Sequence, residues 1–104
     1  MRRLILLRHA KTERDAPSGK DRDRRLDERG RHDGAEIGRW LALQDYRPDL
    51  VLVSTATRTQ ETWDLLRTTM PSARVKHLPE LYGADPSELL RAVHGAAKAD
   101  PQCL

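Results

Sequence analysis

The 104-residue sequence contains one cysteine, Cys103, and no phenylalanine. A single cysteine excludes a disulfide framework and a thiolate metal cluster. It fits a reducing compartment, so a cytoplasmic location is expected. Aromatic residues make up only 4% of the chain, which leaves few side chains to stack on nucleic-acid bases. No apolar run approaches the roughly 18 residues of a membrane-spanning helix. Met1-Arg2-Arg3 followed by four aliphatic residues is too short for a signal peptide. Neither nucleic acid nor a membrane is expected as a partner. His32, His77 and His94 lack the spacing of a metal site. They read as surface or structural residues, and no metal or other cofactor is expected. There is no repeat and no linker, so residues 1–104 read as one domain.

What the chain does have is charge and aliphatic residues in short runs. It is 34% charged and 38% hydrophobic, a balance that suits a folded globular domain better than a disordered one. Net charge is only +3, yet fifteen of the nineteen basic residues are arginine. Arginine grips phosphate and carboxylate with two donors at once, where lysine offers a point charge. Six basic residues fall between Lys20 and Arg31, but Asp21, Asp23, Asp27 and Glu28 interleave with them. The stretch reads as a solvated loop, with a basic rim that draws in anionic substrates as the sharper alternative.

The elements alternate. Leu4 to Leu7 is a continuous apolar run, as in a strand buried on both faces. Residues 10–27 are polar and broken by Pro17, Ser18 and Gly19, so a loop follows. Asp27 can cap a helix running to about Gln44, with Ala35, Ile37, Trp40, Leu41 and Leu43 on its apolar face. Leu50 to Val53 reads as a second buried strand. A helix follows from about Thr57 to Met70, with Trp63, Leu65 and Leu66 inward. Arg74 to Leu78 reads as a third strand. Asp85-Pro86 opens a third helix that turns Leu89, Leu90 and Val93 inward. The order β-α-β-α-β-α predicts a three-layer α/β/α sandwich around a mainly parallel sheet.

In such sheets ligands bind beyond the carboxyl ends of the strands. The first strand ends in Arg8-His9, the second in Ser54-Thr55-Ala56-Thr57-Arg58, and the third in Pro79-Glu80. Two arginines, a histidine and a carboxylate therefore converge on one edge. Two guanidinium groups can clamp a phosphoryl group by charge-assisted hydrogen bonds, each contributing about 1.5–3 kcal/mol. The helix N-terminus near Thr57 adds N–H donors. A neutral imidazole among them has a lone pair that can attack phosphorus.

Leu7-Arg8-His9-Ala10-Lys11-Thr12 resembles the signature of the histidine phosphatase superfamily, the phosphoglycerate mutase-like proteins. Ser54 to Thr62 is similar to that family's second motif, and Arg25-Leu26-Asp27-Glu28-Arg29-Gly30 to its entry into the first helix. Leu78-Pro79-Glu80-Leu81 resembles the compact SixA-type branch, whose members remove phosphate from protein phosphohistidine. The resemblance implies that His9 is the nucleophile and becomes phosphohistidine. It implies that Arg8 and Arg58 bind the phosphoryl oxygens, with Thr12 near the pocket. It also puts Glu80 where many members hold a proton donor. A phosphorylated protein or a small phosphorylated metabolite is the implied substrate. The alternative is a phospho-ligand binding domain without catalysis.

The family completes its pocket with a second histidine after a fourth strand, in a motif like Gly-His-x-Pro. No such motif occurs here, and Ala99 to Leu104 resembles the approach to that strand. The expectation is a domain incomplete at its C-terminus, with an open sheet edge through which two copies dimerise.

Overall fold

The structure, a computed structural model, describes residues 2–104. Helix α1 (Glu28–Leu43) starts where expected, because the Asp27 carboxylate accepts the Gly30 N–H at 2.7 Å. Strand β1 (Leu50–Val53) leads into helix α2 (Thr57–Leu66), which tightens into a 3₁₀ turn at Arg67–Thr69. Strand β2 (Arg74–His77) and a second 3₁₀ turn (Pro79–Leu81) precede helix α3 (Pro86–Ala97). A capping box fixes the start of α3: Asp85 accepts the Glu88 N–H, and the Glu88 side chain accepts the Asp85 N–H.

β1 and β2 pair in parallel, from Leu50 opposite Arg74 to Val53 opposite His77. Alternate β1 side chains serve two cores, as the period of a strand requires. Val53 joins Leu41, Trp63, Leu66 and Met70 beneath α1 and α2, with Val51 packed against them. Leu50 joins Ala96 and Leu104 beneath α3, with Leu52 and Val93 alongside. The result is the expected layering of helices, parallel sheet and helix.

The sheet continues irregularly. The Asp49 N–H donates to the Cys103 carbonyl, and the Asp49 carboxylate accepts the Gln102 and Cys103 N–H groups at 3.1 and 2.9 Å. On the far side, Ile5 N–H donates to Leu104 and Leu104 N–H donates to Arg3. Residues 102–104 thus lie between the start of β1 and residues 2–5. The Asp49 carboxyl is held below its ordinary value, chiefly by the N–H of Cys103 and then by that of Gln102.

Four expectations need correction. Leu4 to Leu7 is not a buried strand: the segment forms no regular ladder, and Leu6 is 76% exposed. Burial needs a neighbour along the edge, and beyond Ile5 no described strand flanks it. A cavity of about 530 Å³ lies instead between residues 4–9 and β1, with Leu104 at one end. The apolar face of α1 is also different, since Trp40 is 50% exposed, Leu43 is 83% exposed and Ile37 is exposed. Gly30, Gly34, Gly38 and Leu41 are the buried face. Glycines let α1 approach closely: a Cβ on Gly30 would stand 2.0 Å from the Lys11 carbonyl oxygen, and one on Gly34 2.7 Å from Leu65 Cδ1. Trp40 lies against Tyr46 at the surface, ring centroids 5.8 Å apart. In α3, Leu89 and Leu90 are exposed, and Ala96 is the buried position. Finally, α2 ends at Leu66 rather than Met70. No helix among the described residues is long and apolar enough to cross a membrane.

Candidate active site

Arg8 and His9 leave the extended N-terminal segment, and Ser54 to Arg58 leave β1, at one end of the same cavity. The cavity is mostly apolar along its length, and its charged lining residues, Arg8 and Arg58, stand with His9 at this end. His9 Nδ1 lies 2.7 Å from the Ala10 carbonyl oxygen. A carbonyl can only accept, so Nδ1 carries the hydrogen, and in the neutral ring Nε2 keeps the lone pair.

The next residue is tied down across the chain. Ala10 N–H donates to Thr62 Oγ1 at 3.1 Å, and that buried hydroxyl donates to the Arg58 carbonyl at 2.8 Å. One hydroxyl therefore joins the backbone beside His9 to the helical turn that carries Arg58. The turn itself is braced by Ser54: its hydroxyl is 2.6 Å from Thr59 Oγ1 and accepts the Ala56 N–H, and its carbonyl accepts Gln60 Nε2. The N-cap of α2 is Ala56, with no side-chain acceptor. Its first-turn N–H groups are thus left for a ligand or solvent, which suits an anion.

Arg8, His9 and Arg58 line the cavity. Thr12 does not: it is half-buried and forms an isolated antiparallel bridge with Leu26. Leu26 is fully buried, its N–H donates to Glu61 Oε1 and its carbonyl accepts Arg31. Thr12 therefore lies in the seam that fastens the 10–27 loop to α2. Glu80 is exposed on the Pro79–Leu81 turn, outside the cavity lining.

Sequence reasoning missed a cluster around Arg58. Its Nη1 donates to the Asp21 backbone carbonyl at 3.0 Å and its Nη2 to Asp21 Oδ2 at 3.1 Å. Tyr82 Oη–H donates to the same Oδ2 at 2.6 Å. Arg24 Nε is 3.3 Å from Asp21 Oδ1, an ion pair that lacks hydrogen-bond geometry. The Cζ atoms of Arg58 and Arg22 lie 5.6 and 5.8 Å from the Tyr82 ring centroid. The Tyr82 hydrogen bond, followed by the Arg58 charge, holds the Asp21 carboxyl below its ordinary value, outweighing partial desolvation. The same hydrogen bond pushes the Tyr82 phenol up. Asp21 and Tyr82 are 61 residues apart, and no local spacing signals their meeting.

Comparison with known proteins agrees with this geometry. The sequence model of the histidine phosphatase superfamily (branch 1) matches residues 4–99, and the chain belongs to that family. It is 39% identical over 84 residues to an uncharacterized chloroplastic protein of Arabidopsis thaliana, covering 78% of this chain and 38% of that one. Among solved structures it resembles a proposed phosphohistidine phosphatase SixA from Agrobacterium tumefaciens, with 35% identity and a TM-score of 0.88. That match covers 97% of this chain and 64% of the other. A proposed SixA from Nakamurella multipartitia is 37% identical with a TM-score of 0.77, covering 88% of this chain and 50% of that one. The protein histidine phosphatase SixA complexed with tungstate shares the fold, at 22% identity and a TM-score of 0.84. The chain thus spans between about two-fifths and two-thirds of the length of these relatives.

Proposed function

We propose that the chain carries the nucleophilic half of a phosphatase that takes phosphoryl groups from protein phosphohistidine through a phosphohistidine intermediate on His9. The observation that carries this reading is the His9 ring, with Nδ1–H held on the Ala10 carbonyl and the adjacent backbone fastened through Thr62 to the Arg58 turn. Arg8, Arg58 and the α2 N-terminus hold the phosphoryl oxygens. The Nε2 lone pair forms the new P–N bond as the bond from phosphorus to the leaving atom breaks. Water then attacks the phosphohistidine, the P–Nε2 bond breaks, and inorganic phosphate is released with His9 regenerated.

Phosphohistidine is favoured over a phosphate ester for two reasons. The relatives at 35% and 37% identity carry that name. A protonated imidazole also leaves as a neutral molecule, so it needs no general acid, and Glu80 stands outside the cavity lining. The short passage from the Pro79–Leu81 turn to α3 at Pro86 leaves the site open enough for a protein side chain.

The test is to incubate the chain with a phosphohistidine-bearing protein and look for acid-labile phosphate on it. Labelling that disappears in His9→Ala supports the reading. Anion binding with no phosphoryl transfer under any condition overturns it in favour of a binding domain.

A further inference from the structure

Arg58 is a long side chain, and its usefulness depends on where its guanidinium points. In this molecule that direction is set by a residue far from it in sequence. Asp21 engages both terminal nitrogens, one through its backbone carbonyl at 3.0 Å and one through Oδ2 at 3.1 Å. Two contacts from one residue fix both the position and the plane of the fork. The Arg58 side chain is only 15% exposed, against 56% for Asp21, so the arginine is the enclosed partner. Tyr82 in turn fixes the aspartate, donating to Oδ2 at 2.6 Å while its ring faces the Arg58 guanidinium.

We propose that Asp21 is the positioning residue of the phosphoryl-binding arginine, with Tyr82 as the brace that holds Asp21 in place. The proposal rests on the phosphatase reading above only in taking Arg58 as a phosphoryl ligand. Asp21 uses two of the five guanidinium N–H donors, and the donors it leaves are presented to the oxyanion in a preset direction. The 3₁₀ turn Asp21–Asp23, which reads from sequence as part of a solvated loop, thereby becomes a wall of the site.

Simple electrostatics makes the opposite forecast. Asp21 is a negative charge beside an anion site, so removing it relieves repulsion and tightens anion binding. If Asp21 acts by aiming Arg58, removing it loosens binding instead. The sign of the change separates the two roles, and a general loss of structure does not mimic it in a folded variant.

The experiment measures tungstate and inorganic phosphate affinity by calorimetry for the 104-residue chain and its variants. Folding is checked by circular dichroism. Asp21→Ala is expected to weaken binding about tenfold, the low end of what losing an orienting partner commonly costs a ligating group. Asp21→Asn, which keeps an acceptor oxygen and the backbone carbonyl, is expected to recover most of it. Tyr82→Phe should weaken binding by about threefold, through the same arginine. On an Arg58→Ala background, Asp21→Ala should have no further effect, because there is nothing left to aim. Equal or tighter binding in Asp21→Ala, or the same loss with and without Arg58, overturns the proposal. If Asp21→Ala does not fold, the same cycle with Tyr82→Phe, which removes the hydrogen bond that holds Asp21, decides by the same criterion. A wild-type chain that binds neither anion overturns the phosphoryl-site reading together with this one. One that binds anions and loses them in Arg58→Ala, but not in the Asp21 variants, overturns only this one.

Discussion

At position 9 the proposed covalent step falls on a single nitrogen, Nε2 of the imidazole. His9→Ala is expected to abolish both turnover and the acid-labile phosphoenzyme, measured by single-turnover labelling. Arg58→Lys keeps the charge and loses the fork. The loss of one charge-assisted hydrogen bond is about 1.5–3 kcal/mol, so the rate should fall roughly 10–100-fold. Glu80→Gln is expected to change the rate on a phosphohistidine substrate by less than about threefold, because the leaving imidazole needs no general acid. A larger fall restores Glu80 to the reaction. Asp49 gives a pH signature of its own. Its folded pKa lies below the ordinary 3.8, so its hold on the Gln102 and Cys103 amides is complete above that value and is lost as the pH falls through the lower, folded one. Hydrogen exchange should show those two amides equally protected at neutral and mildly acidic pH, and unprotected in Asp49→Ala throughout.

Among the elements, α1 and α3 contain glycines with opposite consequences. A Cβ on Gly30 would collide with the Lys11 carbonyl, whereas nothing lies within 4 Å of one on Gly95 in α3. Gly30→Ala should destabilise the fold by about 1–3 kcal/mol or more, as overpacking does. Gly95→Ala should stabilise it by about 0.5–1 kcal/mol, since alanine is the better helix former. Urea unfolding of the two variants checks both signs. The same contrast shows what could be read beforehand. The caps at Asp27 and Asp85 are local chemistry, and both helices start where those residues place them. The buried face of α1 is not local. Periodicity weighs apolar side chains, and this helix packs through Gly30, Gly34 and Gly38. Leu4 to Leu7 misleads for a related reason, because an apolar run shows what a segment could bury and not which neighbours it meets. The meeting of Arg8, His9 and Arg58 at one cavity was legible because they follow apolar runs. The contacts of Asp21 and Tyr82 with Arg58 and with each other were not, because each lies outside the α-helices and strands and meets its partner only through the fold.

Over the whole molecule, the cavity between residues 4–9 and β1 leaves apolar side chains and unpaired backbone on both walls. Leu6 stands on one wall at 76% exposure. An edge of this kind invites pairing with another chain, and a lysine on it discourages that. The chain is expected to enhance the fluorescence of an apolar dye such as anilinonaphthalene sulfonate. It should also self-associate with rising concentration in sedimentation velocity. Leu6→Lys should reduce the association with little change in stability, because the side chain it replaces is not in the core. A chain that is monomeric at high concentration and silent to the dye would show that the cavity walls close on each other in solution.

Residues 102–104 also hold a chemical timer. Cys103 is the sole thiol of the sequence, it is buried, and burial pushes its thiol up. Alkylating reagents attack the thiolate, so while residues 102–104 are docked against Asp49 and Arg3 the reaction is nearly stopped. It proceeds when this segment opens. The rate of carbamidomethylation, divided by that of the denatured chain, therefore gives the fraction of time the docked segment spends open.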